Sequence, residues 1–335
     1  RPPRSTLFPY TTLFRSRTTH FHYPSARDGC SIHALEWAPE GPPRGIVHLV
    51  HGISEHIGRY DETARFLAEH GFLVCGEDHL GHGRTVTDGS YGFFAPENGW
   101  TLAARDVRAL RKLEGARHPN LPYFLLGHSM GSFLTRTYLI LWPGTVSGAV
   151  LMGTGQEPAP LVALGKRISA LECRRLGPRG VSPLVHTLSL GAYNRRFRPS
   201  RTPSDWLSRD PAEVDAFLAD PLCQSRPTVS LFRDMMGGLQ LIARRDQLAR
   251  MDPSVPVCFL SGQEDPVGGM GRGVEQVVRM FQDAGCRDLS LHLYPGARHE
   301  LFHEQNRREV WADLLDWLED RLPPSGPLDG GTPNG

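Results

Sequence analysis

Tyr123-Phe124-Leu125-Leu126-Gly127-His128-Ser129-Met130-Gly131-Ser132 is the stretch on which the reading of this chain turns. A short apolar run ends in Gly-His-Ser-Met-Gly, and a helical pattern follows at once. The order predicts a strand, a sharp turn and a helix, with Ser129 at the turn. A turn this tight strains the serine backbone, and Gly127 and Gly131 remove the Cβ atoms that would collide with it. The Ser129 hydroxyl then sits at a helix start, where unpaired N–H groups and the helix dipole favour developing negative charge.

Outward from this stretch, short apolar strands alternate with amphipathic helices. His20 to Tyr23 and Ser31 to Trp37 read as a hairpin around Arg27-Asp28-Gly29. Strands are expected at 45–50, 72–76, 146–152, 255–260 and 289–294. Helices are expected after Tyr60 up to Gly71, and at 101–113, 271–284 and 307–322. This rhythm predicts an α/β fold, a mostly parallel central sheet covered by helices on both faces. It breaks between about Thr154 and Asp252, a segment rich in Arg and Pro, with short helical patterns at 205–218 and 227–248 and no long apolar helix. The expected organisation is a core from 18 to 153, an inserted helical cap from 154 to 253, and core again from 254 to 322. Residues 1–17 are expected to be a non-native or disordered leader: Thr-Leu-Phe occurs twice, and the run resembles translated adaptor sequence. Residues 323–335, rich in Pro and Gly, are expected to form a flexible tail.

A serine hydroxyl is a weak nucleophile and needs a base, which in turn needs a third group to hold its tautomer. Both occur on loops after predicted strands, in the order serine, acid, histidine. The acid candidate is Asp265 in Ser261-Gly-Gln-Glu-Asp-Pro-Val267, with Pro266 locking the turn and Glu264 the nearest competitor. The histidine candidate is His299 in Pro295-Gly-Ala-Arg-His-Glu300, with His303 its rival. Two backbone N–H donors are expected to face the developing oxyanion: Met130, after the serine, and Ile53, in the loop after the third strand, where Gly52 permits close approach. His48, His51, His56, His79 and His82 raise the question of a metal. No His-Glu-x-x-His occurs, and His51, His79 and His82 are expected to tie loops together beneath the site. No metal and no cofactor are expected.

The composition fits this reading. The 335 residues hold 37 Lys and Arg against 36 Asp and Glu, and 39% are apolar. No basic stripe calls for nucleic acid. No apolar run approaches the roughly 20 residues needed to span a bilayer. The six cysteines lack a Cys-x-x-Cys pair and suit a reducing, cytoplasmic setting.

Taken together, His51-Gly-Ile-Ser-Glu-His-Ile-Gly-Arg-Tyr60, Asp78-His-Leu-Gly-His-Gly-Arg84, Gly127-His-Ser-Met-Gly131 and the two loops around Asp265 and His299 resemble a known group. They are similar, in the same order and over about residues 20 to 322, to the monoacylglycerol lipase and lysophospholipase group of α/β-hydrolases, within the serine aminopeptidase S33 superfamily. The resemblance implies an α/β-hydrolase fold with Ser129 as nucleophile, Asp265 as acid, His299 as base, and Ile53 and Met130 as oxyanion donors. It implies that the insertion is a lid over an acyl pocket and that the substrate is a lipid ester. A transient, peripheral contact with a membrane surface through the cap is a further expectation; oligomeric state is left open. The same scaffold also serves short-chain esterases and peptidases, and a non-catalytic binding protein would keep the pocket without turnover.

Overall fold

A computed structural model describes residues 16–323. Eight strands form one sheet: β1 (Arg17–Pro24), β2 (Ser31–Ala38), β3 (Gly45–Val50), β4 (Phe72–Glu77), β5 (Tyr123–His128), β6 (Gly148–Met152), β7 (Val257–Gly262) and β8 (Leu289–Tyr294). Their order is β1-β2-β4-β3-β5-β6-β7-β8. The pairings from β4 across to β8 are all parallel, and β2 runs antiparallel to both of its neighbours. The central strands are buried along their whole length, which explains why they read as continuous apolar runs rather than alternating ones.

Each face of the sheet carries its own core. Ala64 and Leu67 of helix Asp61–Glu69 join Val310, Trp311 and Leu314 of helix Arg307–Glu319 on one face. On the other, Val107 and Leu110 of helix Gly99–Arg117 pack with Leu134 and Tyr138 of helix Met130–Leu141 and with Val274 and Val277 of helix Arg272–Asp283. The expected alternation of strands and helices is therefore present, with ends shifted by a few residues.

Three local expectations change. Arg17, assigned to the leader, opens β1 and pairs with Ala38; the rest of the leader through residue 15, and the tail from 324, lie outside the described residues. The patterns at 205–218 and 227–248 become helices only at Pro211–Ala219 and Val229–Ala243, with a short turn at Arg245–Leu248. Pro211 and Asp210 set the first start: proline is favoured in the first helical turn, and the Asp210 carboxylate accepts the Ala212 N–H. The segment between β6 and β7 also contains an 18-residue helix, Ala159–Leu176, that was not expected. Its Val162 and Ser169 face inward while Leu161, Leu164 and Leu171, on one stripe at i, i+3 and i+10, stand more than half exposed, so the apolar stripe is not the face the helix buries. Helix Val229–Ala243 shares the main core: Leu231, Phe232, Met235 and Leu239 belong to the same cluster as β5 and helix Met130–Leu141. Among the described residues no helix is long and apolar enough to cross a membrane.

Candidate active site

The turn after β5 has the strained geometry the glycines foretell. Ser129 sits at φ 52° and ψ −120°, between the last residue of β5 and the first of helix Met130–Leu141. Non-glycine residues rarely adopt a positive φ, and such strain clusters at functional sites. A Cβ on Gly127 would collide with the Gly131 carbonyl, and one on Gly131 with the Val50 carbonyl. The helix therefore closes directly onto the end of β3, and Ser129 stays fixed by its N–H donating to Met152 O at 3.0 Å.

Asp265 follows β7 and is fully buried; the Val267 N–H donates to its Oδ1 at 2.8 Å. His299 follows β8, and its Nδ1 lies 3.0 Å from each Asp265 oxygen. A carboxylate can only accept here, so Nδ1 carries the proton and Nε2 holds the free lone pair. The rivals point elsewhere. Glu264 is exposed. The His303 Nε2 donates to the Arg59 carbonyl at 3.2 Å, and burial, with the charge of Arg59, lowers its pKa to about 4. His299 and Ser129 occupy adjoining loops: His128 Nε2 lies 3.3 Å from the His299 carbonyl, and a Cβ on Gly153 would come within 3.0 Å of His299 Cε1. Among the described residues Ser129 Oγ makes no hydrogen bond, to His299 or otherwise.

The Ile53 loop abuts the elbow, for a Cβ on Gly52 would lie 3.1 Å from Ser129 Cβ. Met130 is the first residue of its helix, where N–H groups lack intrahelical partners. The histidines beneath behave as loop ties. His51 Nε2 accepts the His79 N–H at 3.0 Å, His79 Nε2 donates to His51 O at 3.1 Å, and His82 Nδ1 donates to Leu80 O at 2.9 Å. His48 stands apart, with Nε2 2.6 Å from Glu77.

Sequence reasoning passed over the charged layer under this elbow. The buried Glu55 carboxylate accepts from Gly52 N–H at 2.5 Å, His128 Nδ1 at 2.9 Å, Tyr60 Oη at 3.0 Å and Arg59 Nη1 at 3.1 Å. Arg59 also makes a two-pronged contact with Glu300, at 2.6 and 2.8 Å. Burial works against the charge on Glu55, but the hydrogen bond and charge of His128, with Arg59, hold it well below the usual carboxylate range. Trp206 was passed over too. Its ring lies 5.0 Å from that of His299 and 5.0 Å from that of Tyr193. The spacing Glu55-x-x-x-Arg59 was a usable signal for an ion pair; Trp206, in an unpatterned stretch, offered none.

A doubly covered parallel sheet with a strained serine elbow at the end of its central strand is the architecture of an α/β-hydrolase. The family described as serine aminopeptidase, S33, matches residues 41–306, and the chain belongs to that family. It is 31% identical over 292 residues to a monoacylglycerol lipase of Mycolicibacterium smegmatis, covering 85% of this chain and 92% of that one. It is 30% identical to the monoglyceride lipase of Homo sapiens, over 89% of this chain and 90% of the relative. Among solved structures it is similar to a thermostable carboxyl esterase from Bacillus coagulans, solved with glycerol, with a TM-score of 0.85 and 29% identity over 91% of this chain and 99% of that one. These likenesses put the chain in the monoacylglycerol lipase group of the α/β-hydrolase superfamily.

Proposed function

We propose that this carboxylic ester hydrolase cleaves lipid esters bearing one long acyl chain, a monoacylglycerol or a lysophospholipid, through an acyl-enzyme on Ser129. The observation that carries the mechanism is the His299 Nδ1 contact with both Asp265 oxygens beside the strained Ser129 elbow. The free lone pair on His299 Nε2 takes the Ser129 proton as Oγ attacks the ester carbonyl. The N–H groups of Ile53 and Met130 receive the oxyanion, each such donor being worth about 3–4 kcal/mol in the transition state. His299 then gives its proton to the departing alcohol oxygen. In the second half His299 takes a proton from water, the resulting hydroxide attacks the acyl carbon, and Ser129 leaves with the proton, freeing the fatty acid.

The substrate class is supported by the lipase relatives and by the insertion between β6 and β7. Leu161, Leu164, Leu171, Leu184 and Leu188 are each more than half exposed there. An apolar face of this kind suits a transient contact with the membrane or micelle that holds the substrate.

The test is a hydrolysis panel on purified protein: a long-chain monoacylglycerol, a lysophospholipid, a short acyl ester and an aminoacyl amide, each with Ser129→Ala as control. Faster turnover of either lipid supports the reading. Preference for the short ester or the amide keeps the catalytic machinery and replaces the substrate. Ester hydrolysis that survives in Ser129→Ala overturns the mechanism.

A further inference from the structure

Three imidazoles share one side of the hairpin at the edge of the sheet. In the β1–β2 register His22 stands opposite His33, and His20 opposite Leu35. Residues directly opposite, and residues two apart on one strand, share a face; His20, His22 and His33 therefore project together. His33 is buried, while His20 and His22 are exposed.

The proton positions follow from the hydrogen bonds. Asp78 accepts the Ile57 N–H on Oδ1 and the Arg84 N–H on Oδ2. His33 Nδ1 lies 2.8 Å from Asp78 Oδ2 and donates to it. Neutral His33 then carries its lone pair on Nε2. That lone pair accepts the His20 Nδ1–H at 3.0 Å, a proton that a bound metal ion would displace. The ring centroids of His20 and His22 lie 5.2 and 5.3 Å from that of His33.

We propose that His20, His22 and His33 form a binding site for a divalent late transition-metal ion of the Zn²⁺ class, a role independent of the ester hydrolysis. His33 Nε2 is the anchor and His20 Nδ1 the second ligand. Two nitrogens on one tetrahedral zinc, each at about 2.0–2.1 Å, lie roughly 3.3 Å apart, so the observed separation needs only a small opening. His22, exposed and opposite the anchor, turns in as the third ligand. All-imidazole donors suit Zn²⁺, Ni²⁺ and Cu²⁺ and discriminate against Mg²⁺ and Ca²⁺. The Asp78–His33 contact is the second-layer arrangement that orients ligating histidines and raises their basicity. The exposed Arg84 guanidinium, 3.4 Å from His20 Nδ1, opposes a cation and weakens the site until it swings into solvent.

A tighter grouping elsewhere, His56, Asp220 and Cys223, has its ligand atoms within 4.8 Å of one another. There the Gly58 N–H donates to His56 Nδ1, so Nε2 carries the proton and donates it to Asp220 at 2.8 Å. That bond ties His56 to Asp220 and makes the group a hydrogen-bonded latch between the loop after β3 and the segment between β6 and β7.

The experiment is calorimetric titration of untagged, metal-stripped full-length protein with ZnCl₂ near neutral pH, with MgCl₂ in parallel. The proposal expects saturable Zn²⁺ binding and none of Mg²⁺. It expects a loss of roughly tenfold or more in affinity in the doubly substituted His20→Ala/His22→Ala protein, since removing even supporting groups of a metal site costs that much. Arg84→Ala should tighten binding. Both substituted histidines are exposed, so folding is preserved, and Zn²⁺ should raise the melting temperature of the parent but not of the double variant. Absence of Zn²⁺ binding in the parent, or equal binding in the double variant, overturns the proposal.

Discussion

Glu55 shows how much one buried carboxylate can organise. Four donors converge on it, and one of them, the Gly52 N–H, belongs to the loop that carries Ile53. Glu55→Gln keeps the shape but removes the charge that offsets His128 and Arg59. Breaking one side of such a buried pair costs about 3 kcal/mol or more. The expected outcome is a lower urea midpoint, together with a fall of roughly a hundredfold in kcat/KM as the Gly52-Ile53 loop beside Ser129 loses its placement. A variant that loses stability but keeps full kcat/KM would limit Glu55 to packing. His82 and His303 support a second prediction. Burial holds both at a pKa of about 4, below the unfolded value of about 6.5. As pH falls from 6.5 towards 4 the unfolded chain takes up these protons and the native chain does not, so their contribution destabilises the fold by up to about 1.4 kcal/mol per pH unit each. Asp106 and Glu114, pushed up to about 7 chiefly by burial, act with the opposite sign in that window: there the unfolded chain ionises first, and stability falls as pH rises. The two pairs therefore oppose each other across that window. The share of His82 is read as a difference: relative to the parent, His82→Asn should gain stability steadily between pH 6.5 and 4 in urea titrations. A constant gap across that range would refute the assignment.

At the scale of elements, the turn between β5 and its helix is the least tolerant point. Gly131→Ala drives a methyl into the Val50 carbonyl, a backbone atom that cannot rotate away. The cost should be several kcal/mol, beyond the usual 1–3 kcal/mol of an overpacked core, read as a large drop in melting temperature or loss of soluble protein. Parent-like melting would mean that the helix does not close on β3 as described. This element was legible because its constraint is local: glycines at fixed offsets from a serine, after an apolar run. The helix Ala159–Leu176 was not. It buries Val162 and Ser169 against its neighbours and leaves the stripe of Leu161, Leu164 and Leu171 outward, so the face it packs against the fold carries little apolar signal. Replacing Leu161, Leu164 and Leu171 by serine should weaken co-sedimentation with phospholipid vesicles and slow hydrolysis of micellar lipid. Hydrolysis of a soluble short ester should be unchanged. Equal sedimentation of parent and variant would remove the membrane contact from the account.

Across the whole molecule, the segment between β6 and β7 and the loop after β8 are stitched together beside His299. The Glu300 N–H donates to Leu207 O at 2.8 Å, Ser208 Oγ to His303 O at 2.7 Å, and Arg209 Nε to Glu304 at 2.9 Å. The stretch that brings Trp206 over His299 is thus strapped to the histidine loop. These long-range contacts join residues about 95 apart, and nothing in the local pattern of either segment announces them. The meeting of Asp265 with His299 was nevertheless legible, because each follows a strand and the sheet's parallel order brings strand ends together. The central claim is that these two residues arm Ser129. Its most direct test is treatment of the protein with a fluorophosphonate, followed by intact mass and peptide mapping. The account predicts a single adduct on Ser129, absent in Ser129→Ala and formed far more slowly in His299→Ala and Asp265→Asn. An unlabelled Ser129, an adduct on another residue, or equal labelling rates in the two triad variants would contradict it.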